Sequence, residues 1–339
     1  MVPLHFIKCY DFASEDDWNR FLLEPLGVVE HGSPDFSVVK DHAIYFVIGS
    51  RGLGHVPARF VEQIDRLQCK GLYHLGDEFL AGGYELYRHF DFVIRNHYAA
   101  GLQSDGIKTV PLGYPLGMAG NASEPGASGR QFAWAFLGNI NAARASMIAE
   151  FSTLEPHYLH IYDIRRATGR RKNEAEYKEI IRSSVFVPCP MGNVMLETWR
   201  LYEALEAGAI PLTSRRLLMP YHDRIMPGHP IPTFATWRAA RDFAERLLAD
   251  TTALDALQQR IGAWWRSYKK KLQAEVCDFV AQGFAGAYRA SLAEWPPRHG
   301  LGLQTWRVAE LLKHHDLAAA MGRADIMLRR LAHRAGVRA

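Results

Sequence analysis

The sequence predicts an α/β protein with two doubly wound domains. Short apolar runs bounded by Gly and Pro alternate with longer helical stretches along most of the 339 residues, which is typical of parallel sheets covered by helices. The unit Ser184–Ser214 shows this pattern most clearly. A segment rich in Gly, Ala and Ser, Gly117–Arg130, separates two sets of such units and reads as a linker. We therefore expect domains over residues 1–125 and 131–285, and a helical tail over 286–339.

The first set of units contains four predicted strands and one clear helix. The strands are His42–Ile48, Gly71–Leu75, Phe92–Arg95 and Thr109–Leu112, and the helix is Pro57–Leu67. Between the first strand and the helix, Gly49–Gly54 carries its glycines in the order G-x-x-G-x-G. Dinucleotide-binding folds need G-x-G-x-x-G. The spacing therefore disfavours a nicotinamide oxidoreductase, and a plain tight turn stays open for this loop.

The second set of units contains five predicted strands and five predicted helices. The strands are Phe132–Leu137, Tyr158–Ile161, Val185–Val187, Ile210–Thr213 and Thr233–Phe234. The helices are Glu174–Arg182, Val194–Ala207, Ala239–Asp250, Ala253–Gln273 and Ala274–Leu292. The last part, Gln304–Ala339, is helical, Arg-rich and Ala-rich. Three roles stay open for it: crossing back to the first domain, lying on a membrane surface, or binding a partner.

The turn after Val185–Val187 has the features of an anion site. Pro190 and Gly192 form a turn that lets a ligand approach the backbone closely. Asn193 is a favourable N-cap for the following helix, which Gly208 should end. Free amides and the dipole at a helix start attract anions. In parallel sheets this end of the strands is where ligands bind.

The predicted helix carries a stripe of charge. Arg200 and Glu203 are three residues apart and share a face with Glu197. An arginine can bind a diphosphate through two hydrogen bonds, and a carboxylate can accept hydrogen bonds from a ribose diol. The alternative is a solvated ladder of surface charges. The turn before the stripe and the apolar residues around it favour the binding interpretation.

Composition excludes several other classes of protein. The net charge is only +4, whereas a nucleic-acid-binding face needs a denser basic surface, so no nucleic-acid partner is expected. Four scattered cysteines fit neither a disulfide framework nor a zinc site, and the histidines show no metal-ligand spacing. No secretory signal and no apolar run of membrane-spanning length is apparent. We expect a cytoplasmic protein, either free or at the inner face of the membrane.

Residues 130–215 resemble the donor-binding region of exostosin-like glycosyltransferases. The matching residues are Phe136–Gly138, Arg144, Tyr177, Ser183/Ser184, Pro190–Gly192, Arg200, Glu203–Ala204, Gly208 and Ile210–Pro211. Cys189–Met191 departs from the spacing of Cys and Pro in that family. The resemblance implies a GT-B fold, in which two Rossmann-like domains face a cleft, and an inverting transfer from a nucleoside-diphosphate sugar. It implies no metal and no further cofactor.

The resemblance assigns the donor site to the second domain. The residues implied to bind the donor are Gly138, Asn139, Arg144, Ser184, Pro190, Gly192, Asn193, Arg200 and Glu203. Arg171, in the basic loop Arg165–Lys172, lies beside this predicted site and is a further candidate for the diphosphate. A solvated loop is the alternative for Arg171.

The first domain has a looser likeness to enzymes of the ribitol xylosyltransferase type, at Gly76–Glu78, Ile94–Tyr98 and Pro111–Gly113. An inverting transfer needs one general base, and we expect Glu78 or Asp77 in that role, with Glu78 preferred. The alternative is a helix start in which these residues serve as caps. The residues expected on the acceptor side are Arg51, His55, Arg95, Asn96 and His97, with ordinary loop hydrogen bonding as their alternative.

These features predict an inverting glycosyltransferase with a single general base. We expect it to transfer a sugar from a nucleotide-sugar donor, UDP-linked, to a glycan or polysaccharide acceptor. A non-catalytic nucleotide- or glycan-binding module of a larger synthase is the alternative.

Overall fold

The computed structural model describes nine segments of the chain. They are residues 3–10, 16–49, 52–120, 126–140, 142–162, 172–192, 194–215, 221–298 and 300–313. Each half of the chain forms one parallel sheet with helices on its faces, as the alternating pattern predicts. The buried strands are nearly continuous apolar runs, because a parallel sheet covered on both faces has no solvent side.

The first sheet has six parallel strands. They are β1 (His5–Lys8), β2 (Val29–Gly32), β3 (Ala43–Ile48), β4 (Lys70–Leu75), β5 (Phe92–Arg95) and β6 (Ile107–Thr109). Their order across the sheet is β2-β1-β3-β4-β5-β6. The chain thus starts near one edge, adds one strand outward, and then crosses back to build the rest, which is the doubly wound arrangement.

The second sheet has five parallel strands. They are β7 (Phe132–Gly138), β8 (His157–Ile161), β9 (Ser184–Cys189), β10 (Ile210–Ser214) and β11 (Thr233–Phe234). Their order is β11-β10-β9-β7-β8, the same winding as in the first sheet. The direction of winding reverses between β7 and β9, so a ligand crevice is expected at the carboxyl ends of these two strands.

The helices follow the strands in chain order. They are α1 (Asp16–Leu23), α2 (Ala58–Ile64), α3 (Ala142–Phe151), α4 (Glu174–Arg182), α5 (Trp199–Glu206), α6 (Tyr221–Ile225), α7 (Trp237–Leu248), α8 (Thr251–Phe284) and α9 (Gly300–Lys313). Short 3-10 helices occur at Glu24–Leu26, Tyr84–His89, Ala100–Leu102 and Ala127–Gly129. In the described parts of the chain, no helix is both long and apolar enough to span a membrane.

Three strands differ from the sequence prediction. β1 and β2 were not predicted, because β1 is only four residues long and β2 is a polar edge strand. β6 lies at Ile107–Thr109 and not at Thr109–Leu112. Val110 still donates to the Arg95 carbonyl, but Pro111 has no N–H and the Leu112 N–H donates to a side chain of the other domain. The ladder therefore ends earlier than the apolar pattern indicates.

The helix of the central unit is shorter than predicted. It begins at Trp199 instead of Val194, so Asn193 is not its cap, and Thr198 occupies the N-cap position. The Val194 N–H instead donates to a carboxylate of the first domain. Residues 194–198 are thus held by contacts between the domains, which propensity along the sequence does not report.

The two long helices predicted over Ala253–Gln273 and Ala274–Leu292 are one helix, α8. No breaker stands between Gln273 and Ala274, and the helix ends just before Gly286, whose φ is 77°. Its 34 residues span about 51 Å at 1.5 Å per residue. Gln258 donates to the Gly208 carbonyl of the second domain, and Gln273 donates to the Phe21 carbonyl of the first. α8 therefore connects both domains.

The described part of the tail returns to the first domain. In α9, Arg307 donates to the Leu80 carbonyl and Glu310 accepts the Gly101 N–H at 2.9 Å. Trp306 packs on Tyr84, with ring centroids 5.6 Å apart. Among the three roles left open by the sequence, these contacts favour crossing back for residues 300–310.

Candidate active site

The carboxyl ends of β7 and β9 bring together the residues of the predicted donor site. Gly138 is the last residue of β7, and Pro190 directly follows β9. The two strands are neighbours, and the winding of the sheet reverses between them. Ligands of doubly wound folds bind at this reversal because the connecting loops diverge and leave a crevice.

Arg200 reaches into this crevice from the first turn of α5. Its guanidinium lies 4.3 Å from the centre of the Phe136 ring, and its Nη2 donates to the Leu137 carbonyl. Gly138 is required for this placement, because a Cβ at that position would lie 2.7 Å from Nη2. Among the described residues, Nε of Arg200 has no hydrogen-bond partner although it is buried. A guanidinium with a donor to spare is suited to an anion.

Arg144 approaches the same place from α3. Its Nη1 donates to the Asn139 carbonyl at 2.9 Å. Burial, followed by the nearby charge of Arg200, lowers the pKa of Arg144, while Tyr162 and Glu78 act in the opposite direction. Two guanidinium groups that repel each other in a half-buried crevice are a costly arrangement unless a bound anion stabilises them.

Glu78 faces the crevice from the first domain. It follows β4 and is half-buried, and its Oε1 accepts the Val194 N–H at 3.0 Å. A Cβ on Gly192 would lie 2.5 Å from the same oxygen, so the glycine allows the two domains to approach. The predicted base thus lies at the domain boundary beside the turn of the predicted donor site.

Asp77 is not available for the role of base, which corrects one of the two candidates. Its carboxylate is completely buried and forms an ion pair with Arg95 at 2.8 Å. It also accepts the Tyr84 hydroxyl and the Ala81 N–H, each at 2.7 Å. No helix starts here, so capping is also wrong. Asp77 stabilises the loop that carries Glu78.

The acceptor-side predictions at Arg95, Asn96 and His97 need the same correction. All three side chains are buried in the first domain. Arg95 pairs with Asp77, and the Asn96 side-chain oxygen accepts the Gly76 N–H at 3.0 Å. They support the cleft from below and do not line it. A sequence pattern cannot tell a residue that lines the cleft from one that supports it, because both kinds of residue occur where a strand ends at the same edge of the sheet.

The remaining first-domain candidates lie in the loop after β3. His55 is exposed, and its Nδ1 lies 3.0 Å from the Gly52 carbonyl oxygen. Arg51 lies outside the described residues. The loop follows the carboxyl end of β3, the edge of the first sheet on which Glu78 also stands. His55 therefore stays a candidate for acceptor contact.

On the second domain, Glu203 lies on α5, one turn after Arg200. It is largely buried and accepts a hydrogen bond from the Tyr177 hydroxyl. Tyr177 belongs to the residues that match the exostosin-like pattern, but the sequence analysis did not predict it as a site residue. Its partner Glu203 is 26 positions away, and no local sequence pattern indicates such a contact. The contact with Tyr177 orients the Glu203 carboxylate, whose two oxygens can each accept hydrogen bonds.

The structure corrects the prediction that Ser184 binds the donor. Ser184 begins β9, so it lies at the amino end of the strand, opposite the crevice. It is buried, and its hydroxyl donates to the Ile180 carbonyl at 2.6 Å. It therefore anchors α4 to the sheet and cannot contact a donor. Asn193 and Arg171 lie outside the described residues.

Glu197 forms polar contacts between the two domains. The sequence analysis had assigned it only to the charged stripe of the predicted helix. It is buried and accepts the Leu112 N–H and the Tyr202 hydroxyl through Oε1. Its Oε2 lies 3.2 Å from the Tyr221 hydroxyl and 3.4 Å from Nδ1 of His97. Burial raises the pKa of Glu197, but His97, Tyr202 and the Leu112 N–H outweigh it, so the pKa is lowered overall.

One group of side chains in the described segments has donors that could hold a metal ion. Asp41, His42 and Cys69 offer ligand atoms that all lie within 4.8 Å of one another. Asp41 and His42 precede β3, and Cys69 precedes β4. The group is therefore at the amino edge of the first sheet, about 20 Å of strand away from Glu78 at ~3.3 Å per residue. It takes no part in the crevice.

Comparison with solved structures supports the fold that these elements indicate. AviGT4, a glycosyltransferase involved in avilamycin A biosynthesis, has 15% identity and a TM-score of 0.50, and the match covers 84% of this chain and 99% of that chain. Anabaena Alr3699/HepE, solved in complex with UDP, has 9% identity and a TM-score of 0.50, over 83% of this chain and 100% of that chain. No protein-family model and no curated protein matches the sequence. The chain has the GT-B fold, with two parallel-sheet α/β domains.

Proposed function

We propose that this protein is a glycosyltransferase. It transfers a sugar from a nucleotide donor, UDP-linked, to a glycan or polysaccharide acceptor in the cytoplasm or at the inner face of the membrane, and it inverts the anomeric centre. Within the GT-B fold, the motif from Phe136 to Pro211 supports an exostosin-like donor site. Its four cysteines form no disulfide, in keeping with a reducing compartment.

The observation that carries the proposal is the pair Arg144 and Arg200 at the reversal of the second sheet. The guanidinium groups lie close enough for one to lower the pKa of the other. Two glycines, Gly138 and Gly192, leave room beside them and beside Glu78. A diphosphate at this point would neutralise both cations and could accept a hydrogen bond from Nε of Arg200.

The proposed reaction is a single displacement. An acceptor hydroxyl attacks the anomeric carbon while Glu78 takes its proton. The bond from that carbon to the phosphate oxygen breaks, and the electron pair leaves with the nucleoside diphosphate. Arg144 and Arg200 stabilise the charge that develops on this leaving group, which is the electrostatic role a metal ion has in other transferases.

The choice of a uridine nucleotide rests on the neighbour HepE, whose structure holds UDP. Under this proposal Glu203, one turn after Arg200, accepts the ribose hydroxyls; the hydrogen bond from Tyr177 that orients its carboxylate supports this role. The sugar and the linkage are not specified by these residues.

The test is calorimetric titration of UDP into the parent and into Arg144→Ala and Arg200→Ala. Each arginine should contribute about 1.5–3 kcal/mol through charge-assisted bonds to phosphate. We therefore expect Kd to rise about 10- to 100-fold in each variant. Arg260→Ala, at an exposed position of α8, is the matched control and should bind like the parent.

A thermal-shift series with UDP, GDP, CMP and NAD on the parent accompanies the titration. Stabilisation by NAD alone would support an oxidoreductase and refute the proposal. Equal UDP affinity in all three arginine variants would refute the assignment of the diphosphate site. Stabilisation by GDP or CMP instead of UDP would change only the nucleotide.

A further inference from the structure

The loop that carries Glu78, residues 76–83, has an unusual backbone. Gly76, Gly82 and Gly83 have φ values of 80°, 94° and 83°. Leu80 has a φ of 49°, in the left-handed region that a residue with a branched side chain seldom adopts. Such conformations persist only where the surroundings impose them. The position of Glu78 therefore depends on what packs against this loop.

Part of that support comes from the first domain itself. Asp77 binds the Ala81 N–H, the Tyr84 hydroxyl and Arg95. These bonds hold both ends of the loop. The Leu80 N–H also donates to the Asp77 carbonyl at 3.1 Å, but none of these bonds involves the Leu80 carbonyl.

The Leu53 N–H also donates to the Gly82 carbonyl at 3.1 Å. Further support comes from α9, more than 200 positions along the chain. Arg307 is nearly buried, and its Nε donates to the carbonyl of Leu80, two residues after Glu78. Leu303 packs so closely on Gly82 that a Cβ there would lie 2.8 Å from its Cδ2. Trp306 packs on Tyr84, whose hydroxyl binds Asp77. Leu303, Trp306 and Arg307 are at i, i+3 and i+4, so two successive turns of one helix face contact the loop and Tyr84 directly after it.

We propose that α9 holds the Glu78 loop in its reactive conformation and that Arg307 is the positioning residue. The inference rests on the proposed function for the role of Glu78. Arg307 acts through the Leu80 carbonyl and touches neither donor nor acceptor. The tail is then a functional part of the first domain, and the site is incomplete without it.

The test compares Arg307→Ala, Arg307→Lys and the parent in full-length protein. A base displaced by about 1 Å can lose ~100-fold in rate, so we expect kcat for sugar transfer or donor hydrolysis to fall about 10- to 100-fold in Arg307→Ala. The Kd for UDP should stay within about twofold of the parent, because the donor site is on the other domain. Lysine keeps a donor for the carbonyl and should restore part of kcat.

The matched control is Arg298→Ala. This arginine is on the same tail, and its exposed side chain pairs with Glu85 at 3.4 Å. Only its backbone carbonyl, which the alanine variant keeps, faces Gly82 of the loop. It should keep the parent kcat. If both variants lose kcat equally, or if Arg307→Ala keeps kcat within about twofold while folded, the positioning role is refuted.

Hydrogen exchange makes the inference testable apart from activity. In Arg307→Ala, the amides of residues 79–83 should exchange faster, while the control and the second domain stay unchanged. If the parent binds no nucleotide, the proposed function fails, but faster exchange confined to 79–83 still supports the hold of α9 on the loop. Unchanged exchange in that segment overturns it.

Discussion

At the scale of single residues, Asp77 and Glu78 are chemically similar neighbours with different surroundings. One is completely buried with three partners, and the other is half-buried at the domain boundary. The difference arises in the loop after β4, where Asp77 binds Ala81, Tyr84 and Arg95 of its own domain and Glu78 accepts the Val194 N–H of the other domain. The two carboxylates should therefore respond to substitution in opposite ways.

Glu78→Gln should abolish transfer and keep the fold, with a rate loss of about 100- to 10,000-fold. Asp77→Asn should mainly cost stability, about 3–5 kcal/mol, because it leaves the Arg95 guanidinium buried without its counter-charge. Steady-state kinetics and urea unfolding of both variants measure the two effects. Full activity in Glu78→Gln would show that another group is the base, whereas nucleotide binding without any transfer by the parent would favour a non-catalytic binding module.

The buried histidine His74 makes the free energy of unfolding depend on pH. Burial lowers the pKa of this histidine from 6.5 to about 4, with smaller contributions from Arg95 and other histidines, while Asp77 opposes the shift. The unfolded chain therefore binds the proton between pH 6.5 and 4, and the folded protein does not. Stability is present above the unfolded pKa and is lost as pH falls through this window.

The expected loss from His74 is about 2 kcal/mol between about pH 7.5 and about pH 5. Urea unfolding at the two pH values measures it. His74→Gln should reduce this pH dependence, and His55→Gln, at an exposed position, should keep it as in the parent. An equal dependence in His74→Gln and the parent would contradict the assignment.

At the scale of elements, the turn after β9 has its geometry set by a glycine. A Cβ on Gly192 would lie 2.5 Å from Oε1 of Glu78, so Gly192→Ala must displace this carboxylate or separate the domains. We expect transfer to fall at least ~10-fold, since a base out of position loses much of its effect. UDP binding should change less than transfer.

Kinetics and calorimetry on Gly192→Ala check this prediction. Gly54→Ala is the control, because a Cβ at Gly54 meets no atom within 4 Å and its backbone is not in the left-handed region. Equal transfer rates in both variants would show that the close approach of Glu78 and Gly192 does not matter in solution.

At the scale of the whole molecule, Glu197 joins the domains. Removing it in Glu197→Ala leaves the hydroxyls of Tyr202 and Tyr221 and the Leu112 N–H buried without this acceptor. Each such group costs about 1–3 kcal/mol. We expect a loss of about 3 kcal/mol or more and a wider opening between the domains.

Denaturant unfolding and small-angle X-ray scattering measure these two effects. Glu245→Ala, exposed on α7, is the control and should resemble the parent in both. The link is also expected to weaken in acid. Because the pKa of Glu197 is lowered in the folded state, its contribution is present above its unfolded pKa and is lost as pH falls through the lower value. An unchanged scattering profile in Glu197→Ala would contradict the role as a link.

The sequence by itself determined the alternation of strands and helices, the two sheets and the second-domain crevice. These are local properties: apolar runs, the Gly and Pro turns, and the positions of Gly138, Arg144 and Arg200 relative to strand ends. Parallel connectivity then places strand ends at one edge whatever the remaining details are.

Only the tertiary structure decided which polar residues face the cleft and which support it. Arg95 ends β5 and Glu78 follows β4 at the same edge of the sheet. Arg95 pairs with Asp77 inside the first domain, whereas Glu78 accepts an N–H of the second domain. The start of α5 and the hold of α9 on the Glu78 loop also depend on partners far apart in sequence. Buried polar groups must find a hydrogen-bond partner wherever the fold offers one, and the fold, not the neighbouring residues, fixes where that partner is.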